Sequence, residues 1–307
     1  MLNRPIFTQE FQVQDFLPEP NSAYIFSDSH EERSKHLQNF MSQSSGTQFV
    51  ELTDFTTSTF MFEGDATSFR SRVQTDKFWA QLQQNIIYID ITGLPHHIWA
   101  PLILTVQDLD RDVRVIYIEP ASYAFSSSPT EGKIFELSET INGISPIPKF
   151  GQLRESADTE VVFVPLLGFE GSRLSYVLDQ IQPLDENIIP IVGVPGFRVE
   201  FPFYTFIGNQ FPLMETKSWQ RSLFVPANCP FSLFYVLESE QTKYPDRLFK
   251  IALIGTKPQA LGAVLFYLKN TKSVELIYDH PIRKTNRTAG ATKLLQYSIS
   301  KLSKLVI

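Results

Sequence analysis

The chain has 307 residues, of which 43% are apolar and 20% charged, a balance typical of a folded globular protein and unlike that of a disordered one. Its formal net charge is −6, and its longest apolar runs, such as residues 260–268, are far shorter than the ~20 residues that span a bilayer. We therefore expect no membrane-spanning helix, and the N-terminal segment lacks the basic and apolar pattern of a secretory signal.

The cysteine content indicates the compartment. Cys229 is the single cysteine, so no internal disulfide can form. No cluster of cysteine and histidine has the spacing of a zinc site. A reducing cytoplasm is the predicted setting, and we predict neither a bound metal nor a cofactor.

Charge is distributed unevenly along the chain. From residue 241 onward there are 12 Lys/Arg and three Asp/Glu, so this segment carries +9 while the remainder carries −15. An excess of one sign attracts any anion. The basic segment either faces an anionic ligand, nucleic acid or partner, or pairs with the acidic remainder of the same chain.

Four stretches of the sequence repeat one order of patterns: a β-branched run, a turn with Gly, Ser or Thr, an apolar-periodic helix, and a second β run. They begin at Ser22, Asn85, Glu160 and Phe249. Continuous apolar strands that alternate with helices predict βαβ units. We therefore predict a Rossmann-like α/β fold with a mainly parallel, doubly wound sheet. Residues 1–159 form the predicted N-terminal half with two units, and residues 160–307 the C-terminal half with two more and the basic segment.

The turns that follow the strands are the predicted binding positions, because ligands of open α/β sheets lie beyond the carboxyl ends of the strands. The last turn combines Gly255, Thr256 and Lys257 at the start of a predicted buried helix. Glycine permits a close backbone approach, and the helix N-terminus and the lysine attract an anion. The alternative is a plain helix entry with a solvated lysine.

The pentapeptide Ile-Gly-Thr-Lys-Pro, residues 254–258, is followed by a helix rich in small residues. It resembles the Gly-Thr-Lys/Arg turn of CRISPR-associated Rossmann-fold (CARF) ligand-sensing domains of bacterial defence systems. In that family the turn contacts a cyclic oligonucleotide, usually across a dimer interface. The resemblance implies this role for Gly255, Thr256 and Lys257. The nuclease or winged-helix domain that usually accompanies the family is not evident here.

Two further turns are candidate ligand sites. The turn at residues 168–173 offers Gly171, Ser172 and Arg173 to a phosphate, which an arginine can bind through two hydrogen bonds. Its Glu170 is a candidate general base or ligand for a ribose hydroxyl. A structural turn with a capping serine is the alternative. The turn at Thr92 and Gly93 is the corresponding position in the N-terminal half.

The segment DHPIRKTNRT, residues 279–288, joins a possible acid–base pair to three cations. Asp279 and His280 are weak catalytic candidates, since histidine titrates near neutral pH. A hydrogen-bonded strand end is the plainer alternative for this pair. Arg283, Lys284 and Arg287 are candidate phosphate ligands.

Together these features favour a nucleotide- or phospho-ligand-binding protein, in its specific form a sensor or component of a bacterial antiviral system. One alternative is an enzyme that processes nucleotide or nucleic-acid phosphodiesters, so catalysis stays open. Another is a non-catalytic scaffold subunit that docks an acidic partner through its basic C-terminal segment. The partners expected are a phosphate-bearing ligand and a protein partner or second copy, with weaker support for nucleic acid and none for a membrane.

Overall fold

The computed structural model describes residues 7–28, 31–130, 132–152, 161–300 and 302. Its contacts divide the chain into two compact units: Met1–Tyr123 with Thr285–Ile307 (unit 1) and Ala124–Lys284 (unit 2). The chain thus leaves unit 1 after residue 123 and returns to it at residue 285. These limits differ from the predicted halves, which meet at residue 159.

The described residues contain six α-helices and eighteen strands, numbered in chain order. The helices are α1 (Arg72–Ala80), α2 (His96–Val106), α3 (Gly171–Ile181), α4 (Phe201–Glu215), α5 (Pro230–Lys243) and α6 (Lys257–Lys269). The strands are β1 (Thr8–Gln12), β2 (Ser22–Phe26), β3 (Thr47–Glu51), β4 (Thr59–Phe62), β5 (Asp65–Ser68), β6 (Ile86–Asp90), β7 (Asp112–Tyr123), β8 (Phe125–Thr130), β9 (Lys133–Phe135), β10 (Ser138–Ile141), β11 (Ser145–Pro146), β12 (Val161–Pro165), β13 (Ile191–Gly193), β14 (Leu223–Val225), β15 (Leu248–Ala252), β16 (Val274–Tyr278), β17 (Pro281–Arg283) and β18 (Thr288–Ser298). In this described part of the chain, no helix is both long and apolar enough to cross a membrane.

Unit 1 is built on a six-stranded mixed sheet with the order β1-β18-β7-β6-β2-β3. The neighbours β3, β2, β6 and β7 are parallel, and β18 and β1 extend the sheet antiparallel. All five residues of β2 are buried, as expected of a central strand covered on both faces. Large aromatic side chains fill the core beside it; the rings of Tyr24 and Tyr88 stack with their centroids 5.7 Å apart.

Unit 2 contains a four-stranded sheet with the order β11-β16-β15-β12, in which β12, β15 and β16 are parallel and β11 is antiparallel. Single parallel bridges, one to Ile188 and one to Ile191, continue from β12 towards the parallel pair β13–β14. Helix α6 is buried from Pro258 to Tyr267, in agreement with its apolar sequence. A Cβ atom at Gly262 would lie 2.4 Å from the Pro230 carbonyl oxygen, so this glycine allows α5 to pack closely on α6.

The prediction of one mainly parallel, doubly wound sheet made of four βαβ units is wrong. The described strands divide among six sheets, and the pairs β4–β5, β8–β9 and β10–β17 are antiparallel. In unit 1 the long strand β18 pairs antiparallel with β7, from Thr288 opposite Tyr123 to Ser298 opposite Arg114. After β2 a 3₁₀ segment, Glu32–Asn39, stands where an apolar-periodic helix was predicted. Local sequence patterns indicate which residues are buried and whether the apolar residues recur with the period of a strand or of a helix. Contacts between residues distant in sequence decide which strands pair.

Candidate functional site: paired turns at the ends of β12 and β15

Two predicted turns of unit 2 lie in direct contact. Because β12 and β15 are parallel neighbours, both chains turn at the same edge of the sheet. A Cβ atom at Gly168 would lie 2.6 Å from the Ile254 carbonyl oxygen, and one at Gly255 would lie 3.0 Å from the Leu166 carbonyl oxygen. Neither glycine has a left-handed φ angle, so both are required for close approach. We call residues 166–173 and 254–257 the paired turns.

The second of the paired turns leads into α6. The Thr256 hydroxyl accepts a hydrogen bond from the Gln259 N–H (3.4 Å) and donates one to the Ala227 carbonyl (2.7 Å). It therefore acts as the N-cap of the helix. The half-buried Lys257 is the first residue of α6, and Pro258 follows without an N–H group. This helix end offers a positive charge and few free backbone donors.

The first of the paired turns leads into α3, whose N-terminus is less occupied. Its N-cap, Glu170, makes no side-chain hydrogen bond to the helix. The first N–H groups of an α-helix, here those of Gly171 and Ser172, have no intrahelical partners. The Ser172 side chain is exposed. The start of α3 therefore presents backbone donors and a hydroxyl at the edge of the sheet.

The Glu170 carboxylate is engaged elsewhere. Its Oε1 accepts hydrogen bonds from the Leu137 and Ser138 N–H groups, both 2.8 Å, and its Oε2 accepts one from the Ser138 hydroxyl at 2.9 Å. Three donors, one in the loop before β10 and two on the first residue of β10, thus hold this side chain in place. The arrangement favours an ordering role for Glu170 over that of a general base.

Arg173 and Asp279 are paired with each other. The Arg173 Nε and Nη2 atoms each lie 2.6 Å from an Asp279 carboxylate oxygen, and both side chains are buried. Arg173 Nη1 also donates to the Ile254 carbonyl at 3.3 Å. Burial opposes the charged guanidinium, but the Asp279 carboxylate outweighs it and raises the pKa of Arg173 above its ordinary value. The guanidinium thus connects the chain segments that follow β12, β15 and β16.

His280 bonds to a different group. Its Nε2 lies 2.9 Å from the Ser145 hydroxyl, and its ring packs edge-on against Tyr278 at 5.0 Å. Burial lowers the pKa of His280 below its ordinary value, although the Asp279 charge acts in the opposite direction. Both Asp279 oxygens bond to Arg173, so the arrangement favours two separate structural contacts over an Asp–His acid–base pair.

The three C-terminal cations lie in different units. In unit 2, Arg283 donates to the Tyr278 hydroxyl at 3.3 Å, and the Lys284 ammonium lies 2.7 Å from a Glu136 oxygen. Hydrogen bonds from Lys284 and Lys133 lower the pKa of Glu136. Arg287 belongs to unit 1, where it forms an ion pair with Glu31. Lys284 and Arg287 thus illustrate the alternative in which basic residues pair with acidic residues of the same chain.

The predicted turn at Thr92 and Gly93 lies in unit 1. The Thr92 N–H donates to Asp90 Oδ1 at 2.8 Å, and its hydroxyl accepts from the Ile118 N–H at 3.0 Å. A Cβ atom at Gly93 would lie 2.0 Å from the Ser27 carbonyl oxygen. Thr92 is buried, and its polar groups bond to the end of β6 and to β7, whereas Gly93 contacts the turn that follows β2.

A buried polar cluster that lies beside this turn was not predicted from the sequence. Asp90 Oδ2 accepts a hydrogen bond from the Tyr24 hydroxyl at 3.0 Å and lies 3.5 Å from His36 Nε2. Burial lowers the pKa of His36, and the Asp90 carboxylate opposes this shift. The sequence signal was the aspartate that ends the buried run NIIYID.

Two buried amides near the paired turns were also missed. The Asn209 Nδ2 donates to the Gly168 carbonyl at 2.7 Å, and the Gln259 Nε2 donates to the Val225 carbonyl at 3.3 Å. The oxygen of each amide has no hydrogen-bond partner among the described residues. Both residues are 0% exposed, so these are unsatisfied acceptors at the edge of the sheet.

Comparison with known proteins gives no relative: no protein-family model matches the chain, and no curated protein matches it. Its function is therefore inferred from the geometry of its own residues.

Proposed function

We propose that unit 2 binds a small phosphate-bearing ligand, with a nucleotide as the favoured class, at the paired turns. The observation that carries the proposal is the contact between Gly168 and the Ile254 carbonyl. This contact sets the N-termini of α3 and α6 at the ends of two adjacent parallel strands. Both helix dipoles then favour negative charge at the same edge.

The groups at this edge have complementary roles. The start of α3 supplies the N–H groups of Gly171 and Ser172 and the exposed Ser172 hydroxyl. The start of α6 supplies the Lys257 ammonium. The Thr256 hydroxyl caps α6 and occupies one of its N–H groups. The backbone N–H donors for the ligand therefore come mainly from α3, and the positive charge comes from Lys257.

The buried amide oxygens favour a nucleotide over inorganic phosphate. Asn209 Oδ1 and Gln259 Oε1 are acceptors that lack a partner, and an unmade hydrogen bond of this kind costs about 1–3 kcal/mol. Phosphate at neutral pH offers few donors, whereas ribose hydroxyls and base amino groups offer several. Because both residues are 0% exposed, a ligand with these donors would reach the two oxygens only after neighbouring side chains move aside.

Binding is proposed as the activity in place of turnover, because the candidate catalytic carboxylates are engaged. Asp279 is paired with Arg173, and Glu170 accepts three hydrogen bonds. The resemblance of residues 254–258 to the CARF turn extends the proposal to cyclic oligonucleotides and to a sensor in bacterial antiviral defence. The single cysteine supports the cytoplasm as the proposed setting.

Thermal unfolding of the full chain with a panel of nucleotides, cyclic oligonucleotides and inorganic phosphate tests the proposal. A ligand at a hundred times its dissociation constant should stabilise the fold by about 2.7 kcal/mol. The dissociation constant of any hit is then measured by calorimetry for the wild type and for Lys257→Ala. Loss of a charge-assisted hydrogen bond should cost about 1.5–3 kcal/mol, which is a weakening of roughly 10- to 150-fold.

The matched control is Lys272→Ala. Lys272 is exposed and follows the opposite end of α6, so the same charge is removed away from the site. Its affinity should equal that of the wild type, and both variants should keep the circular dichroism of the wild type. If no ligand stabilises the chain, or if both lysine variants bind equally well, the paired turns are not a phosphate site. Turnover of a nucleotide in the same panel would support the enzyme alternative.

A further inference from the structure

Helix α4 carries its large apolar side chains on the outside. Its buried residues include Thr205, Gly208 and Asn209, whereas Phe203 and Phe211 are 69% and 65% exposed. A surface helix normally turns its apolar stripe towards the core. We call Phe203, Ile207, Phe211 and Met214 the α4 stripe; all four count among the exposed large apolar residues. At 100° per residue they lie within one narrow sector of the helix.

Other aromatic residues widen this surface on both sides. Phe125 packs edge-on against Tyr204, with ring centroids 6.1 Å apart, and Phe224 packs against Phe206 at 6.3 Å. Phe125 and Phe224 are themselves 58% and 59% exposed. With about 200 Å² for a large apolar side chain, the stripe and its two flanking phenylalanines expose roughly 700 Å². This area exceeds the apolar patch of most monomers and approaches the ~800 Å² that each partner buries in a standard interface.

We propose that the α4 stripe is the interface with a second copy of this chain, formed by two antiparallel α4 helices about a two-fold axis at Ile207. Phe203 and Phe211 stand four residues before and four residues after Ile207. A two-fold axis there places Phe203 opposite Phe211 of the partner subunit, so the stripe is self-complementary. Rows of residues spaced by four also pack against each other in the commonest class of helix contact.

The charges at the two ends of α4 fit this arrangement. The exposed Arg198 precedes the helix, where its Nε atom lies 2.9 Å from a Glu200 oxygen, and the exposed Glu215 is the last residue of the helix. Antiparallel pairing brings Arg198 to the end of the helix pair where Glu215 of the partner subunit lies. The opposed helix dipoles add a favourable term.

The same charges disfavour a membrane as the occupant. A helix that lies on an anionic bilayer has a polar face rich in Lys and Arg. Around the stripe, Arg198 and Lys217 are balanced by Glu200 and Glu215, so there is no local positive excess.

The first test is the mass of the full chain by sedimentation at increasing concentration. We expect a dimer of the 35.1 kDa chain. Ile207→Glu, at the proposed axis, should raise the dissociation constant of the dimer roughly thirtyfold or more, the effect of losing a central hot spot. Val73→Glu is the matched control, because Val73 is 79% exposed on α1 in unit 1. Its dimer should be unchanged, and both variants should keep the circular dichroism of the wild type.

Crosslinking tests the symmetry, with Cys229→Ser as the background. Ile207→Cys should form a disulfide-linked dimer, because Cα atoms at the axis can approach within the ~7 Å that a disulfide allows. Phe203→Cys alone should not form a disulfide-linked dimer, since the two copies of residue 203 would lie about 12 Å apart along the antiparallel helices. A mixture of Phe203→Cys and Phe211→Cys chains should crosslink.

Three results would overturn the proposal. They are a wild type that stays monomeric at all concentrations, a dimer that survives Ile207→Glu, and a monomer that binds vesicles of anionic phospholipid through the stripe. Because ligand binding is measured at the paired turns, loss of the dimer with retained ligand affinity would leave the proposed function standing.

Discussion

The guanidinium of Arg173 and the carboxylate of Asp279, 106 residues apart in sequence, meet through two hydrogen bonds of 2.6 Å in the interior of unit 2. A buried charge that loses its partner costs about 3–5 kcal/mol, whereas replacing both partners by apolar residues is often neutral. We therefore expect Arg173→Met to lower the free energy of unfolding by that amount. The double variant Arg173→Met/Asp279→Leu should recover most of it.

Urea unfolding of the two variants and the wild type makes this comparison. The single and double variants share the loss of the arginine and differ in the charge left behind. If the double variant were as unstable as the single one, the hydrogen bond to the Ile254 carbonyl would account for the stability, and the uncompensated charge would not.

The contact between α3 and α4 depends on two glycines. A Cβ atom at Gly171 would lie 1.9 Å from the Gly208 carbonyl oxygen, and one at Gly208 would lie 2.0 Å from the Phe169 carbonyl oxygen. Helix propensity alone favours alanine over glycine by about 1 kcal/mol. Overpacking costs about 1–3 kcal/mol and should outweigh it, because backbone atoms cannot move aside easily.

Gly171→Ala and Gly208→Ala are therefore expected to lower the melting temperature. Ser172→Ala is the control in the same turn, since its exposed side chain should change stability by less than about 0.5 kcal/mol. A rise in melting temperature in either glycine variant would mean that the two helices do not approach so closely.

The buried His36 should make unit 1 less stable in acid. Because burial lowers its pKa, the unfolded chain takes up this proton at a higher pH than the folded chain. As the pH falls below about 6.5, protonation favours the unfolded state, and the free energy of unfolding decreases. His36→Gln cannot titrate and should therefore show a smaller decrease.

His36→Gln also changes the packing against Phe40, which alters the free energy of unfolding at every pH. The variants are therefore compared by the slope of the free energy of unfolding against pH, between about pH 7 and pH 5. The pKa of His280 is lowered as well, so His280→Gln should reduce the slope independently. The double variant should have the smallest slope of the three. A slope for His36→Gln equal to that of the wild type would contradict the assignment.

The sequence predicted several elements at their observed positions. The apolar runs near Ile86, Val161 and Val274 form β6, β12 and β16, because strands covered on both faces have little polar sequence. The apolar helix after Lys257 is buried as expected. The turns at Gly168 and Gly255 were also predicted at their observed positions, since glycine after a buried strand is a strong local indication of a turn.

The partners of these elements could not be predicted in the same way. No strand was predicted at Thr288–Ser298, yet this segment forms β18, because β7 provides its hydrogen bonds from far along the chain. Likewise, Arg173 next to a helix start indicated a phosphate ligand. Only the fold brings Asp279 to it, and the carboxylate then occupies the donors that a phosphate would use.

The insertion of residues 124–284 between the two parts of unit 1 affects the order in which a newly synthesised chain can fold. Strand β18 lies between β1 and β7, so the central sheet of unit 1 is incomplete until Thr288–Ser298 has left the ribosome. Unit 2 is continuous in sequence, so all of it emerges before β18 does. Domains generally fold as units during synthesis, so unit 2 should fold while β7 still has an unpaired edge. Nascent unit 1 is therefore the part of this chain that needs protection from aggregation, because an unpaired strand edge is a template for pairing with other chains.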